Sequence, residues 1–287
     1  MQPLRPQPVD SLENLRNRID RMLRAGGTKQ YDAQQGLFDL DTQVDPEGAI
    51  PYPSKSIVEF LDFLSDGVPD GDVYLFGGIL RDVALFGARG FTSDIDLVVE
   101  GDWDHCVNYL ASRGARQNKF GGFRLDVAGW PVDIWNATDT WAIKQGLVAY
   151  KGIASLTETT VLNWDAILMN WRTGAFVCRQ RYLEDLREGT LDVVLVANPN
   201  PLGMIVRVFR HLCAKDARRV TRAAARFLAD ATAAYSYSEI ASEERRSYGN
   251  AKIRLDIYRL FERMNDTGAN SFSHSPIEIH RSELQLV

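Results

Sequence analysis

The sequence has no long hydrophobic run, little cysteine and no excess of positive charge. A membrane-spanning helix needs about 18 or more consecutive apolar residues, and no stretch of the chain reaches that length. The polar segment 1–8 lacks the apolar core of a signal peptide. Three widely spaced cysteines, Cys106, Cys178 and Cys213, form neither a disulfide framework nor a zinc pattern. We therefore expect a cytoplasmic protein without membrane contact.

The charge balance argues against a general nucleic-acid binder. The formal net charge is −5, whereas tight nonspecific binding usually requires a basic surface. The charge is nevertheless uneven, because residues 207–226 hold seven basic side chains against Asp216 alone. With 287 residues, 45% of them hydrophobic and 25% charged, the chain can bury a sizeable core in one or two domains.

Three regions differ in their hydrophobic pattern. Residues 1–70 predict an N-terminal helical arm with helices at 8–25 and 56–65 and a polar loop at 28–54. Residues 71–200 alternate between strand and helix patterns, which predicts an α+β head domain with a mixed β-sheet. Residues 201–287 show helical patterns only, as a neck-like or body-like domain would. The predicted strands are 73–76, 94–99, 123–127, 131–135, 166–171, 175–179 and 191–196.

The head domain begins with a strand, a glycine pair and a helix. The apolar run 73–76 ends at Gly77 and Gly78, and a helical pattern extends from Ile79 to Phe86. Glycines at a helix start leave room for backbone N–H groups to approach a phosphate. Glycine pairs mostly make turns, so this signal has weight only in combination with charged residues further along the chain.

Two aspartates lie on the next predicted strand. Asp94 and Asp96 are spaced i and i+2, which places both carboxylates on one face of a strand about 6–7 Å apart. Such a pair is costly unless a cation lies between the charges, and oxygen ligands favour Mg²⁺ or Mn²⁺. A third carboxylate is expected from Asp133, on the outer face of 131–135, with Asp126 as the alternative. We predict that Asp94, Asp96 and Asp133 are the catalytic residues and metal ligands.

These residues resemble a known signature. The sequence from Gly77 to Asp82 (Gly-Gly-Ile-Leu-Arg-Asp), with Asp94-Ile95-Asp96-Leu97 after it, is similar to the Gly-Gly-x-x-Arg-Asp … Asp-x-Asp motif of the polymerase-β-like nucleotidyltransferases. The likeness is greatest to the bacterial tRNA CCA-adding and poly(A) polymerase branch, and it extends over 163–168, 184–191 and 201–210. It implies a nucleotidyltransferase head domain that binds an NTP such as ATP. It also implies nucleotide contacts from Gly77, Gly78, Arg81 and Asp82.

Further basic residues are candidates for phosphate contact. In the head these are Lys119, Arg124, Lys144 and Lys151, and in the neck Arg207 and Arg210. If 205–234 were one helix, most basic residues of 207–226 would share a sector of about 100°. That sector is either a solvated face or a surface for triphosphate or an oligonucleotide. Lys144, Arg207 and Arg210 are our predicted nucleotide contacts beyond the signature.

The acceptor is less well defined than the reaction. Thr159-Thr160-Val161 stands where the family has Arg-Arg-Asp, and Asn200-Pro201-Leu202-Gly203 stands for Asp-Pro-x-Arg. We expect transfer of NMP from an NTP to an acceptor hydroxyl, with the 3′ end of an RNA, above all tRNA, as the favoured acceptor. The alternatives are a specialised synthase of a short nucleotide signal or a defence or toxin enzyme, and an inactive nucleotide-binding subunit. The sequence identifies no protein partner.

Overall fold

The computed structural model describes residues 5–25, 52–266 and 276–279. Most of the predicted polar loop 28–54 and most of the polar tail after Asn265 therefore lie outside the described residues. Within the described ranges, no helix is both long and apolar enough to span a membrane.

Among the described residues, helices precede, flank and follow the strands of the main sheet. Their starts obey local rules: the hydroxyl of Ser11 caps α1, and Ser236 and Glu239 form a capping box on α9. The helices are α1 Leu12–Arg24, α2 Ile57–Asp66, α3 Gly78–Phe86, α4 Trp103–Ala111, α5 Trp141–Lys144, α6 Tyr182–Glu188, α7 Pro201–Ala214, α8 Arg222–Ala234, α9 Tyr237–Tyr248 and α10 Leu255–Asp266.

A six-stranded mixed sheet forms the centre of the head, as predicted. Its strand order is β3-β4-β2-β1-β5-β6; the β2–β4 pair is parallel and the other pairs are antiparallel. The strands are β1 Asp72–Phe76, β2 Ile95–Glu100, β3 Phe123–Val127, β4 Trp130–Asn136, β5 Ile167–Asn170 and β6 Phe176–Cys178. The α+β fold class is confirmed.

Alternation along the strands separates two faces of this sheet. On β2, Ile95, Leu97 and Val99 are fully buried in the main core beneath the helices. The intervening Asp96 and Val98 point to the opposite face, where a smaller apolar cluster includes Tyr74 and Leu168. The period of two in the sequence thus sends the carboxylates away from the core.

The C-terminal region is not purely helical, which corrects one expectation. A small second sheet joins β7 Thr190–Leu191, β8 Arg219–Val220 and β9 Ile277–Glu278 in that order. The predicted strand 191–196 is much shorter than its apolar pattern indicated. Its pairing with β8 ends at Leu191. The main core nevertheless continues from the head into α7, α8 and α10, so the regions pack together.

Candidate active site

A row of side chains crosses three neighbouring strands on the face opposite the main core. Asp96 on β2 is in register with Asp133 on β4, and Asp133 is in register with Arg124 on β3. Cross-strand neighbours have Cβ atoms about 4.5–5.5 Å apart. The predicted third carboxylate therefore lies directly beside the first strand's aspartate, because the only parallel pair of the main sheet joins β2 to β4.

Asp94 completes this group from the residue before β2. The hydroxyl of Ser93 donates to Oδ1 of Asp94 at 3.1 Å, and Nη2 of Arg124 donates to its Oδ2 at 3.3 Å. Nη1 of the same guanidinium donates to Oδ2 of Asp133 at 2.8 Å. We call Asp94, Asp96, Asp133 and Arg124 the carboxylate site; it has three acidic groups and one basic group.

The electrostatics of the carboxylate site favour a cation. Burial raises the pKa of Asp96 well above its usual range, and the charges of Asp94 and Asp133 raise it further. Burial also raises the pKa of Asp133 to about 6, although Arg124 opposes this shift. Like charges held together in a partly buried place disfavour ionisation. The folded protein thus stores electrostatic repulsion that a bound cation would relieve.

The donor chemistry of the site fits a hard divalent cation such as Mg²⁺ or Mn²⁺. Oδ1 of Asp133 is buried and has no hydrogen-bond partner among the described residues, which is unusual for a carboxylate oxygen. As the side chains stand, however, no three potential ligands in the described part of the chain converge closely enough to hold an ion. The residue types fit a metal, and a change of side-chain positions must accompany its binding.

Asp126, the alternative third carboxylate, lies elsewhere. It is in register with Pro131, near the end of the β3–β4 hairpin, and its side chain is exposed. There Oδ1 accepts a hydrogen bond from the Gly129 main chain at 3.1 Å. Its place in the turn separates Asp126 from Asp96, so the geometry favours Asp133 as the third carboxylate.

The glycine pair lies at the start of α3, where its conformation is special. Gly77 has φ +61° and ψ −109°, a combination that residues with a Cβ rarely adopt. Gly78 is the first helical residue, and a Cβ built there would lie 3.7 Å from Nη2 of Arg81 and 3.9 Å from Oγ of Ser93. The helix N-terminus therefore lies next to the loop that carries Ser93 and Asp94.

Arg81 and Asp82, both predicted as nucleotide contacts, lie inside the protein. Arg81 Nε donates to Asp82 at 2.7 Å, and Nη1 pairs with Asp165. The ammonium of Lys215, just after α7, contacts both oxygens of Asp82 at 2.6 and 2.7 Å. We call Arg81, Asp82, Asp165 and Lys215 the buried ion cluster. Its contacts fasten α3 to α7, a structural role that local sequence patterns do not reveal.

The buried ion cluster balances its own charges. Burial by itself would raise the pKa values of Asp82 and Asp165, but the neighbouring cations outweigh burial and lower both. His211 on α7 lies beside the cluster in its neutral form, because burial lowers its pKa to about 3. Its Nδ1 donates to the main-chain oxygen of Arg207 at 2.7 Å.

The remaining predicted contacts have different surroundings. Arg207 is exposed on α7, and its charge lowers the pKa of Asp96, so it lies within electrostatic reach of the carboxylate site. Arg210 pairs with the buried Glu244 and stacks 4.0 Å above the ring of Tyr248. Lys144 forms an exposed ion pair with Asp139 at 3.0 Å. Only Arg207 of these three faces the carboxylates.

The condition for a basic sector, one continuous helix, is not met. α7 ends at Ala214, and β8 separates it from α8. Asp216 adopts φ +62°, which an α-helix does not allow. Lys215 consequently turns inward to Asp82, and Arg219 pairs with Glu188 and Glu278.

Arg124 is the site residue that the sequence interpretation undervalues. Sequence reasoning marks it only as one of several phosphate candidates, without a partner. The hairpin contains the signal, because pairing Val127 with Trp130 across two turn residues places Arg124 opposite Asp133.

The chain is similar to known proteins in one family model and in several solved structures. Residues 55–155 match the family model of the nucleotidyltransferase domain. Among solved structures, a CCA-adding enzyme in complex with CTP has a TM-score of 0.52 at 19% identity, covering 74% of this chain and 51% of that one. The Thermotoga maritima CCA-adding enzyme complexed with tRNA has a TM-score of 0.52 at 19% identity, with 73% and 50% covered.

A tRNA nucleotidyltransferase complexed with a primer tRNA and an incoming ATP analogue is similar to the same extent. Its TM-score is 0.52 at 17% identity, and the match covers 75% of this chain and 63% of that one. The chain thus spans about half to two thirds of the length of these proteins. No curated protein sequence matches it significantly. Residues 55–155 therefore resemble a nucleotidyltransferase domain, and the fold of the chain is similar to that of CCA-adding enzymes.

Proposed function

We propose that this protein is a divalent-metal-dependent enzyme that transfers NMP from an NTP to an acceptor hydroxyl and releases pyrophosphate. The observation that carries the proposal is the register of Asp96 with Asp133, with Asp94 one residue before β2, on a face turned away from the main core. Three carboxylates in this arrangement are the ligand set that two-metal phosphoryl transfer needs.

Asp94, Asp96 and Asp133 would hold the metal. Bound there, a divalent cation neutralises charge on the leaving pyrophosphate and lowers the pKa of the attacking hydroxyl. The protein's own part is to align the carboxylates on rigid strands. Burial and the neighbouring carboxylates raise the pKa values of Asp96 and Asp133, so a bound cation would stabilise their ionised forms.

The start of α3 is the proposed phosphate-binding element. The first N–H groups of this nine-residue helix have no partner within the helix, and the helix dipole adds positive potential there. Gly77 and Gly78 keep side chains away from the approach. Arg207 adds a positive charge from α7 that acts on the same region as Asp96. These groups would orient the triphosphate so that its α-phosphorus faces the carboxylate site.

The favoured acceptor is the 3′ end of an RNA, with tRNA as the leading candidate. The support is the fold shared with a CCA-adding enzyme and a tRNA nucleotidyltransferase, each solved with tRNA. The second candidate is a specialised enzyme that makes a short nucleotide signal or acts in defence. It is favoured by the Thr159-Thr160-Val161 departure from the family pattern.

The deciding experiment incubates the protein with each labelled NTP and Mg²⁺ or Mn²⁺, with and without bulk tRNA, and resolves the products. Labelled tRNA supports the first candidate, and small oligonucleotides formed without RNA support the second. Asp133→Asn should abolish product in either case. Asp126→Asn, on the same hairpin but outside the carboxylate site, is the matched control and should retain activity. Absence of product from the unmodified protein under every condition would leave an inactive nucleotide-binding subunit.

A further inference from the structure

Arg124 bridges two of the three carboxylates of the carboxylate site. Its guanidinium uses Nη1 for Asp133 and Nη2 for Asp94, at 2.8 and 3.3 Å. The side chain is largely buried, with 13% of its surface exposed. A guanidinium group is planar, so it can bridge two carboxylates. Because it is permanently charged, it cannot dissociate from them by losing a proton.

This bridge and a metal ion need the same two carboxylates. A cation shared by Asp94 and Asp133 would lie close to the Oδ2 atoms that Arg124 contacts, and it would bring a second positive charge close to the guanidinium. The bridge holds the two carboxylates on one guanidinium, and no three potential ligands converge on one point among the described residues.

We propose that Arg124 is a resident counter-cation that suppresses binding of free divalent metal and releases the carboxylates when the metal arrives together with a nucleotide. The proposal rests on the proposed function and adds a regulatory role for a residue of the same site. The triphosphate makes the release of Arg124 favourable, because its oxygens can accept hydrogen bonds from the guanidinium that the metal displaces.

Among the described residues, Arg124 forms ion pairs with these two carboxylates alone. Asp126, two residues further along β3 on the same face, is held in the hairpin turn by Gly129. Asp96 is one strand beyond Asp133, and the charge of Arg207 acts on it. Removing the bridge therefore takes the compensating charge of Arg124 away from Asp94 and Asp133.

The test measures Mn²⁺ binding without nucleotide, from the electron paramagnetic resonance signal of the free ion. Arg124→Gln should bind Mn²⁺ about tenfold or more tightly than the unmodified protein, which is the expected direction when a competing charge is removed. Arg116→Gln is the matched control, because it removes the same charge from an exposed position just before β3. Its Mn²⁺ affinity should stay within about twofold of the unmodified protein.

Two further measurements separate the outcomes. Adding a non-hydrolysable NTP should reduce the difference in Mn²⁺ affinity between Arg124→Gln and the unmodified protein. Arg124→Lys, whose ammonium lacks the planar fork, should bind Mn²⁺ with intermediate affinity, and it carries the test if circular dichroism shows that Arg124→Gln does not fold. If the Arg124 variants bind Mn²⁺ as tightly as the unmodified protein or more weakly, the proposed role of Arg124 is overturned but the proposed function is not. No Mn²⁺ binding by any form, with or without nucleotide, would overturn the proposed function as well.

Discussion

The carboxylate site and the buried ion cluster both combine aspartates with basic residues, but their charge balance differs. The buried ion cluster pairs two aspartates with one arginine and one lysine, and its acids have lowered pKa values. The carboxylate site sets three aspartates against one arginine, and the pKa values of Asp96 and Asp133 are raised. One group is balanced within the protein; the other has an excess of negative charge.

This difference in charge balance separates structure from function. A balanced buried network costs a great deal to break, because the removal of one partner leaves another charge without compensation. A group with an excess of one charge lowers the stability of the folded protein, and a ligand of opposite charge offsets that loss. Burial alone would not have distinguished the two, since both contain largely buried aspartates.

The largest expected effect is on turnover. Asp96→Asn should lower NMP transfer by about 10³-fold or more, because it removes a ligand of the proposed metal site. The melting temperature should stay the same or rise, since the ionised carboxylate is unfavourable in the folded protein. Pyrophosphate release and a thermal melt measure the two quantities. A clear drop in melting temperature would show that Asp96 is structural instead.

The next effect is on stability and concerns the buried ion cluster. Asp82→Asn should lower the free energy of unfolding by about 3–5 kcal/mol, because Arg81 and Lys215 then lie in the interior with less compensation. Urea denaturation measures the change. The control is Asp20→Asn, which breaks the exposed ion pair with Arg24 and should cost at most about 1 kcal/mol. Similar losses in both variants would contradict the structural role of the cluster.

The two groups should also respond to pH in opposite senses. The raised pKa of Asp133, about 6, means that the metal-free folded state holds its proton more tightly than the unfolded chain. Its contribution to stability is complete below about pH 4 and is lost as pH rises through 6, by about 3 kcal/mol in all. Asp82 and Asp165, with lowered pKa values, instead lose their contribution as pH falls below about 4.

The measurement is the free energy of unfolding from pH 3 to 8 in the presence of a chelator. The difference between the unmodified protein and Asp133→Asn should fall between about pH 4 and 6 and then level off. A flat difference across this range would mean that Asp133 has an ordinary pKa and that the excess negative charge is compensated.

The smallest effects should separate the two glycines beside the carboxylate site. Gly77→Ala forces a Cβ into a positive-φ conformation and should cost about 1–2 kcal/mol of stability. Gly78→Ala meets only ordinary contacts and should fold normally, but its methyl group lies where a phosphate would approach the helix start. Calorimetric titration with a non-hydrolysable NTP should therefore show weaker binding for Gly78→Ala at unchanged melting temperature. Unchanged affinity in that variant would place the phosphates elsewhere.

Local patterns were sufficient for the parts of the site that lie on strands. Ile95 and Leu97 alternate with Asp94 and Asp96, and Val132 and Ile134 flank Asp133, so each carboxylate was assigned to the outer face from its apolar neighbours alone. That β4 neighbours β2 was stated only as a condition for the third carboxylate. The structure meets this condition, since it places Asp133 in register with Asp96.

Local patterns failed where partners are distant in sequence. Arg81 and Asp82 were predicted as nucleotide contacts, and their partner Lys215 was not recognised because it lies 133 positions after Asp82. The basic sector required a continuous helix through 216, and the local periodicity neither decided between one helix and two nor revealed the pairing of β8 with β7. Hydrophobic periodicity describes one element at a time and contains no information about ion pairs between elements.

The sequence by itself determined the order of elements in the head, the glycine-led start of α3 and the face on which the carboxylates stand. These depend on backbone preferences and on a period of two, which neighbouring residues set. Tertiary structure decided which charges are compensated. Asp82 is neutralised by a lysine brought in after α7, whereas Asp94 and Asp133 share a single arginine from the next strand. Charge balance is a property of side chains that meet in space, and for this protein it separates the groups that hold the fold from those that we propose for catalysis.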